Sequence, residues 1–480
     1  MKHQKGSITL FSAIALLLIS ATIFTLLEGV RFSELNHLAS LQTEVVMDAV
    51  LSNYNNDLWE NYHLLGTDRA TAENIIYEIS NGKSSGLGTN LLRLKREDAS
   101  MVSYTLLTDG NGAVFVNTVS AYMRNNLLYE VIREIYSQYE SVKSVIDTNQ
   151  VDGSNIENAL EKIEENESEE ANSVGTSDTE DENRELMVRS ILESAKQWIE
   201  MELLELVLED TQNLSDKEVA FENSVLERVL DEGMNYTQEE ISWEDRILFQ
   251  QYLCTYMSHF REVKEDRELD YEVENLLEAK NNDLQNLEGI ISKLLVIRAA
   301  ANYLHLISNA QKQAKAEAMA TLLAGASLNP VFISAVKTGL LTAWALAESI
   351  LDVRALLAGK KVPLIKSEEY WTTNFEEITE IMNEFVVAKE CSWGLGYENY
   401  LGILLLLKEE EDVAMRALQL QELTIRKQRI DDSFRIDTLM TRIGVNIEYS
   451  YNPVFPFLEI FDEVNLWEYK IFANKEMGYY

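Results

Sequence analysis

The sequence predicts an α+β protein, predominantly α, held at a membrane by an N-terminal helix. Three observations carry that expectation. Ile8 to Leu27 is free of charge, helical apolar periodicity fills most of residues 186–438, and alternating β-branched and aromatic residues return near the C-terminus. The architecture expected is a transmembrane helix continuing as a long stalk helix, followed by an extracytoplasmic helical bundle with a small antiparallel sheet.

The N-terminal run comes first. At a rise of about 1.5 Å per residue, a helix over Ile8–Leu27 spans the roughly 30 Å of bilayer hydrocarbon. A cleaved signal peptide has a shorter apolar stretch and a small-x-small site, and the residues that follow here are GVRFSEL. Residues 7–28 are therefore read as a retained transmembrane helix. Lys2 and Lys5 precede it and only Arg31 closely follows it, which places residues 1–6 in the cytoplasm and the body outside. Beyond Gly29, Phe32, Leu35, Leu38, Leu41, Val45, Val46 and Val50 recur at helical spacing, so the helix is expected to continue to about residue 60, as a stalk over 29–65.

The body follows in segments. Residues 66–146 are expected to form an α/β part, in which MVSYTLLTDGNGAVFVN reads as a hairpin turning at Asp109-Gly110-Asn111-Gly112. DGNG also opens like a calcium loop, but Ala113 stands where an acid or amide is needed. Residues 147–185 lack aromatics and are dominated by acids, the composition of a disordered linker. Residues 186–438 read as a helical bundle, with Asp283 as a candidate N-cap and a short alternating piece at Leu269, Tyr271 and Val273 as a candidate strand. The apolar stretches 318–328 and 329–359 resemble membrane spans. Asn329-Pro330 divides them, however, and Lys337, Glu348, Asp352 and Arg354 punctuate the second, so both are read as core helices ending at Gly359. Residues 439–480 are read as strands that join the earlier ones in one sheet.

Composition restricts the chemistry. A formal charge of −39 is extreme; it argues against nucleic acid as a partner and is read as solubility of a surface-exposed domain. Cys254 and Cys391 form no CxxC and are read as two buried free thiols, although pairing stays open. His3, His37, His63, His259 and His305 are scattered, without HExxH. Glu348 and Asp352 share a helix face as paired carboxylates can. Their expected role is pairing with Arg354, Lys360 or Lys361, or facing water. No catalytic, cofactor-binding or metal residue is assigned, and no cofactor is expected.

The segments KGSITLFSAIALLLISATIFTLLEGVRF, YTLLTDGNGAVF and AWALAESILDVRALLAGKKVPLIK resemble an uncharacterised membrane-anchored family of anaerobic Gram-positive bacteria. Its N-termini are similar to those of TadE/TadG-like proteins of tight-adherence (Flp-type) pilus systems. The resemblance implies a single-pass anchor, an extracytoplasmic body, protein partners among pilus or secretion components, and no known catalytic residues. Lys5-Gly6-Ser7 resembles a prepilin-peptidase site, yet Phe11 occupies the position where type IV pilins carry glutamate, and Glu28 lies too late to replace it. The expected function is a membrane-anchored structural or assembly protein of the pseudopilin-like, pilus-accessory kind. The alternatives are an anchored binding module for wall polymer or solute and an anchored enzyme.

Overall fold

A computed structural model describes residues 4–81, 92–124, 129–148, 152–170, 179–235, 240–324, 329–382, 385–454 and 469–479. The chain divides into two compact units. The first comprises residues 1–122, 223–241 and 429–480, and the second 123–222 and 242–428. As expected, the protein is predominantly helical with one small antiparallel sheet.

The first unit is a helix laid along a sheet. Helix α1 spans Gln4–Leu51 and α2 spans Asn56–Tyr62. The two-residue β1 (Thr67–Asp68) leads into α3 (Arg69–Asn81), and β2 (Lys95–Leu106) precedes α4 (Ala113–Arg124). The C-terminal strands are β3 (Leu439–Tyr451) and β4 (Tyr469–Gly478). Strand β3 is the hub. It pairs antiparallel with β2 from Lys95↔Ser450 to Leu106↔Met440, with β4 from Tyr469↔Tyr451 to Gly478↔Arg442, and with β1 at Thr67↔Met440. Ile443, Val445, Ile447, Tyr449 and Tyr451 recur with the period of two that a one-sided core requires. They pack with Leu35, Ala39, Val46, Met47 and Val50 of α1.

Two expectations for this unit need correction. The long helix ends at Leu51 instead of about residue 60. Ser52 and Asn53 turn their side chains back onto the Asp48 and Ala49 carbonyls, and Asn55 starts α2 afresh by accepting the Leu58 N–H. The hairpin at 109–112 is also absent. The turn is there, with positive φ at Gly110, Asn111 and Gly112, but the chain leaves it as helix α4. The turn is fixed by the Asp109 carboxylate, which accepts the N–H of Leu106 at 2.8 Å and of Gly233 at 2.9 Å. The run AVFVNTV suits a fully buried helix as well as a strand, because Ala113, Val114, Phe115 and Val116 are all buried.

Among its described residues the second unit is built of helices and the turns and loops that join them. Its helices are α5 (Tyr129–Thr148), α6 (Ser154–Glu170), α7 (Thr179–Glu200), α8 (Leu203–Val207), α9 (Trp243–Tyr256) and α10 (Glu272–Glu278). They are followed by α11 (Asp283–Ser308), α12 (Ala310–Leu323), α13 (Pro330–Leu357), α14 (Tyr397–Leu406) and α15 (Glu410–Arg429). Helix α13 is the axis, with α6, α7, α11 and α12 packed around it. Asn329 caps it by accepting the Val331 N–H, Pro330 opens it, and Gly359 closes it at φ +83°, as the sequence predicts.

The acidic stretch 147–185 departs from expectation. Residues 154–170 form α6, whose Ile156, Ala159 and Ile163 are buried. A few apolar residues at helical spacing suffice once a partner face exists, despite the surrounding charge. Residues 149–151 and 171–178 of the expected linker lie outside the described residues. The candidate strand at Leu269, Tyr271 and Val273 is instead the lead-in and first turn of α10. Asn282, rather than Asp283, caps α11 by accepting the Leu284 and Gln285 N–H groups. Asp283 instead accepts from Ser215, Asp270 N–H and Tyr271 N–H. The expected bundle is also interrupted, since residues 223–241 belong to the first unit.

Gly339 lies where α6 and α13 approach closely. A Cβ there would press on the Ala159 methyl and lie 3.0 Å from the Asn155 carbonyl oxygen. Gly339→Leu should therefore destabilise the protein by about 1–3 kcal/mol through overpacking. The check is a lower urea midpoint at unchanged m-value.

Candidate functional site

The apolar N-terminal half of α1 and its junction with the sheet form the first candidate. The most apolar window of α1 has mean hydropathy 2.5 and none of it is buried within the chain. Leu10, Phe11, Leu16 and Leu26 are each more than 60% exposed. Two other helices, α11 and α13, are also long and apolar enough to cross a membrane. Their windows are 61% and 56% buried, with mean hydropathy 1.4. The difference is physical: α11 and α13 have a protein core to cover them, whereas the first half of α1 has its apolar surface bare. Ser12, Thr22 and Thr25 return their hydroxyls to carbonyls three or four residues back, which satisfies them without water.

From Arg31 onward the same helix becomes a packed element. The buried stripe runs through Arg31, Leu35, Ala39, Thr43, Val46, Met47 and Val50. Phe32, Leu41 and Val45, expected on that stripe, are exposed. Polar contacts fasten helix to sheet along this length. The Arg31 guanidinium pairs with Glu28 at 2.6 Å and donates to the Asn452 carbonyl at 3.0 Å. Thr43 and Tyr449 hydroxyls lie 3.2 Å apart, Lys475 pairs with Glu44, and the Tyr479 hydroxyl donates to the Leu51 carbonyl at 2.7 Å. The helix is thus held to the sheet over some twenty residues, about 30 Å at helical rise.

The second candidate is the pair Glu348 and Asp352. Both side chains are fully buried, and their partners are neither Arg354, Lys360 nor Lys361. Lys366 lies between them, pairing with Glu348 and lying 2.5 Å from Asp352 Oδ1. Arg298 of α11 donates to Asp352 Oδ2 through Nε at 2.9 Å and Nη2 at 2.8 Å. Its Nη1 donates to the Pro363 and Leu364 carbonyls and to Tyr400. Asn302 adds a bond to Asp352, while the Thr372 and Thr373 N–H groups reach Glu348 at 3.0 and 2.8 Å. Burial alone would raise the Asp352 pKa, but Arg298 and Lys366 outweigh it and hold the carboxyl below its ordinary value. Two acids and two bases make a neutral quartet that ties α11, α13 and the 363–373 segment together. Such an arrangement fixes packing: Glu348 and Asp352 Oδ2 accept hydrogen bonds from protein donors, and Asp352 Oδ1 faces the Lys366 ammonium. Arg354 instead donates to the carbonyls of Leu206, Ile381 and Val386.

A third group follows directly on the candidate strand at Leu269, Tyr271 and Val273, and no spacing in the sequence marks it. Glu274 is buried on α10 and accepts from the Phe260 N–H at 2.9 Å and the Tyr397 hydroxyl at 2.7 Å. Burial pushes its carboxyl up to about 7, against the pull of those two hydrogen bonds. His259, also buried, is lowered by the same loss of water. Cys391 is a buried free thiol, and Cys254 is free but only half-buried. Among the described residues, no three histidine, cysteine, aspartate or glutamate side chains converge as metal ligands would.

The fold and the first candidate define a class: a predominantly helical α+β protein that associates with membranes through an apolar N-terminal helix. A family of unknown function, DUF5702, matches residues 179–451, more than half of the chain, and the chain belongs to that family. No curated protein and no solved structure matches it.

Proposed function

We propose that this chain is a single-pass, membrane-anchored structural or assembly protein. Its N-terminus is cytoplasmic and its body extracytoplasmic, and it works through protein contacts as a pilus or secretion accessory. The observation that supports the reading is the bare apolar half of α1 running without a break into a helix lashed to the sheet. A loosely tethered catalytic domain needs no such rigid coupling, whereas a part that transmits position from membrane to assembly does. The closed quartet around Asp352 supports a structural use of those acids. The resemblance of the N-terminus to TadE/TadG-like proteins supplies the pilus part of the proposal.

Two measurements test it. Lysines at both Ile14 and Leu18 should cost about 2.5–3.5 kcal/mol each at the centre of a span. They are expected to move the protein from the carbonate-resistant membrane pellet into the soluble fraction. In-cell crosslinking of the unaltered chain should recover tight-adherence or secretion components. Recovery of wall polymer alone would favour a binding module and count against an assembly role.

A further inference from the structure

The junction where α1 leaves its apolar run carries a second feature. Arg31, which donates to the Asn452 carbonyl, also lies 5.5 Å from the Tyr451 ring centroid. Tyr451 stacks on Tyr469 at 5.6 Å and meets Phe32 at 6.1 Å. Phe32 and Tyr469 are each 44% exposed. One residue along the strands, Lys95 and Lys470 flank Ser450 from the two sides of β3. Their ammonium groups pair with Glu97 and Glu448 but stay 61% and 55% exposed. Surface pairs of this kind are weak and exchange readily for another anion.

The height of this cluster follows from the helix. Arg31 lies four residues beyond Leu27, or about 6 Å along an unbroken helix. The headgroup layer on each side of the hydrocarbon is of that thickness, since a bilayer of about 30 Å of hydrocarbon is about 40–45 Å overall. Tyrosine is the residue type that settles at this level, with its ring in apolar surroundings and its hydroxyl in water. The strands then lead away from the membrane. β4 follows α1, with Tyr469 beside Tyr451 at one end and Tyr479 on Leu51 at the other.

We propose that this end of the sheet is a lipid-binding collar. Phe32 and Tyr469, backed by the buried Tyr451, sit in the headgroup layer of the bilayer that holds α1, and Lys95 and Lys470 face its phosphates. The collar would fix the axis of the first unit along the membrane normal, so that a contact at the far end of the sheet is presented about 30 Å out. The proposal rests on the anchored reading above and adds orientation to it.

The test uses the full chain, with Cys254→Ser and Cys391→Ser, in vesicles of phosphatidylcholine and phosphatidylglycerol. Nitroxide labels are placed singly at Thr25→Cys, Asn452→Cys and Glu476→Cys, and their accessibilities to oxygen and to a water-soluble nickel chelate are compared. The label at 25 should report hydrocarbon, the label at 452 headgroup depth, and the label at 476 water, with chelate access several-fold lower at 452 than at 476. Equal chelate access at 452 and 476, with the label at 25 still in hydrocarbon, overturns the collar and leaves the anchor standing. A label at 25 in water overturns the anchor itself. Protection at 452 that persists in detergent would assign the surface to a protein contact and also overturn the collar.

Discussion

Replacing Arg298 by methionine should lower the stability of the protein by about 3–5 kcal/mol, the cost of leaving a buried carboxylate without its partner. Asp352 would keep Lys366, but the quartet would carry an uncompensated negative charge in a site with no exposure. The Pro363 and Leu364 carbonyls would lose their donor as well. Arg298→Met combined with Asp352→Leu should recover much of the loss, because a Lys366–Glu348 pair remains and the cavity stays filled. Urea unfolding of the full chain in detergent, followed by tryptophan fluorescence, measures both variants. Trp344 and Trp371 lie close to the quartet: the Thr373 hydroxyl and carbonyl accept from their indole N–H groups, and the adjacent backbone binds Glu348. A single variant within about 1 kcal/mol of the unaltered protein would mean that water already reaches Asp352.

Glu274→Gln should change the pH dependence instead. The carboxyl is held at about 7, above its ordinary 4.5, because burial disfavours its charge. Between those values the folded chain keeps a proton that the unfolded chain has lost, so stability falls as pH rises through that window. At about 1.4 kcal/mol per unit of displacement, the loss is about 3 kcal/mol above pH 7. Glutamine can still accept from Phe260 N–H and Tyr397, and it has no proton to lose. The variant should therefore be more stable than the unaltered protein at pH 8, and the two should converge near pH 5. Parallel stability curves across that range would show that Glu274 does not titrate there.

Much of this was legible in the sequence, and what was not has identifiable causes. The 20-residue charge-free run, Asn329-Pro330, Gly359 and the alternation of β3 each specify local structure by composition or backbone chemistry alone. The hairpin at 109–112 failed because the turn residues say only that the chain reverses. Whether strand or helix follows depends on what buries Val114 and Phe115. Helix α6 was hidden because four apolar residues among many acids are too few to order alone, yet the three that are buried, Ile156, Ala159 and Ile163, suffice to pack it on α13. The quartet left a faint trace. Arg298 stands alone within LLVIRAAA, Lys366 within VPLIK, and Asp352 within SILDV. Charges of opposite sign set in or at the end of apolar runs are candidates for one another, but their pairing is a tertiary fact that no local spacing encodes. Glu274 left no trace, since an acid among acids looks solvated until its surroundings close over it.

The central claim is that α1 alone crosses the membrane while α11 and α13 stay within a body on the outer face. It is tested most directly by single cysteines in a Cys254→Ser, Cys391→Ser background, probed on intact cells with a membrane-impermeant maleimide. Lys280, Gln311 and Lys361 bracket α11 and α13, and Gln4 begins α1. Labelling at positions 280, 311 and 361 alike, with Gln4→Cys reactive only after permeabilisation, is the predicted result. Protection at 311 while 280 and 361 react would make α11 and α13 membrane spans and contradict it.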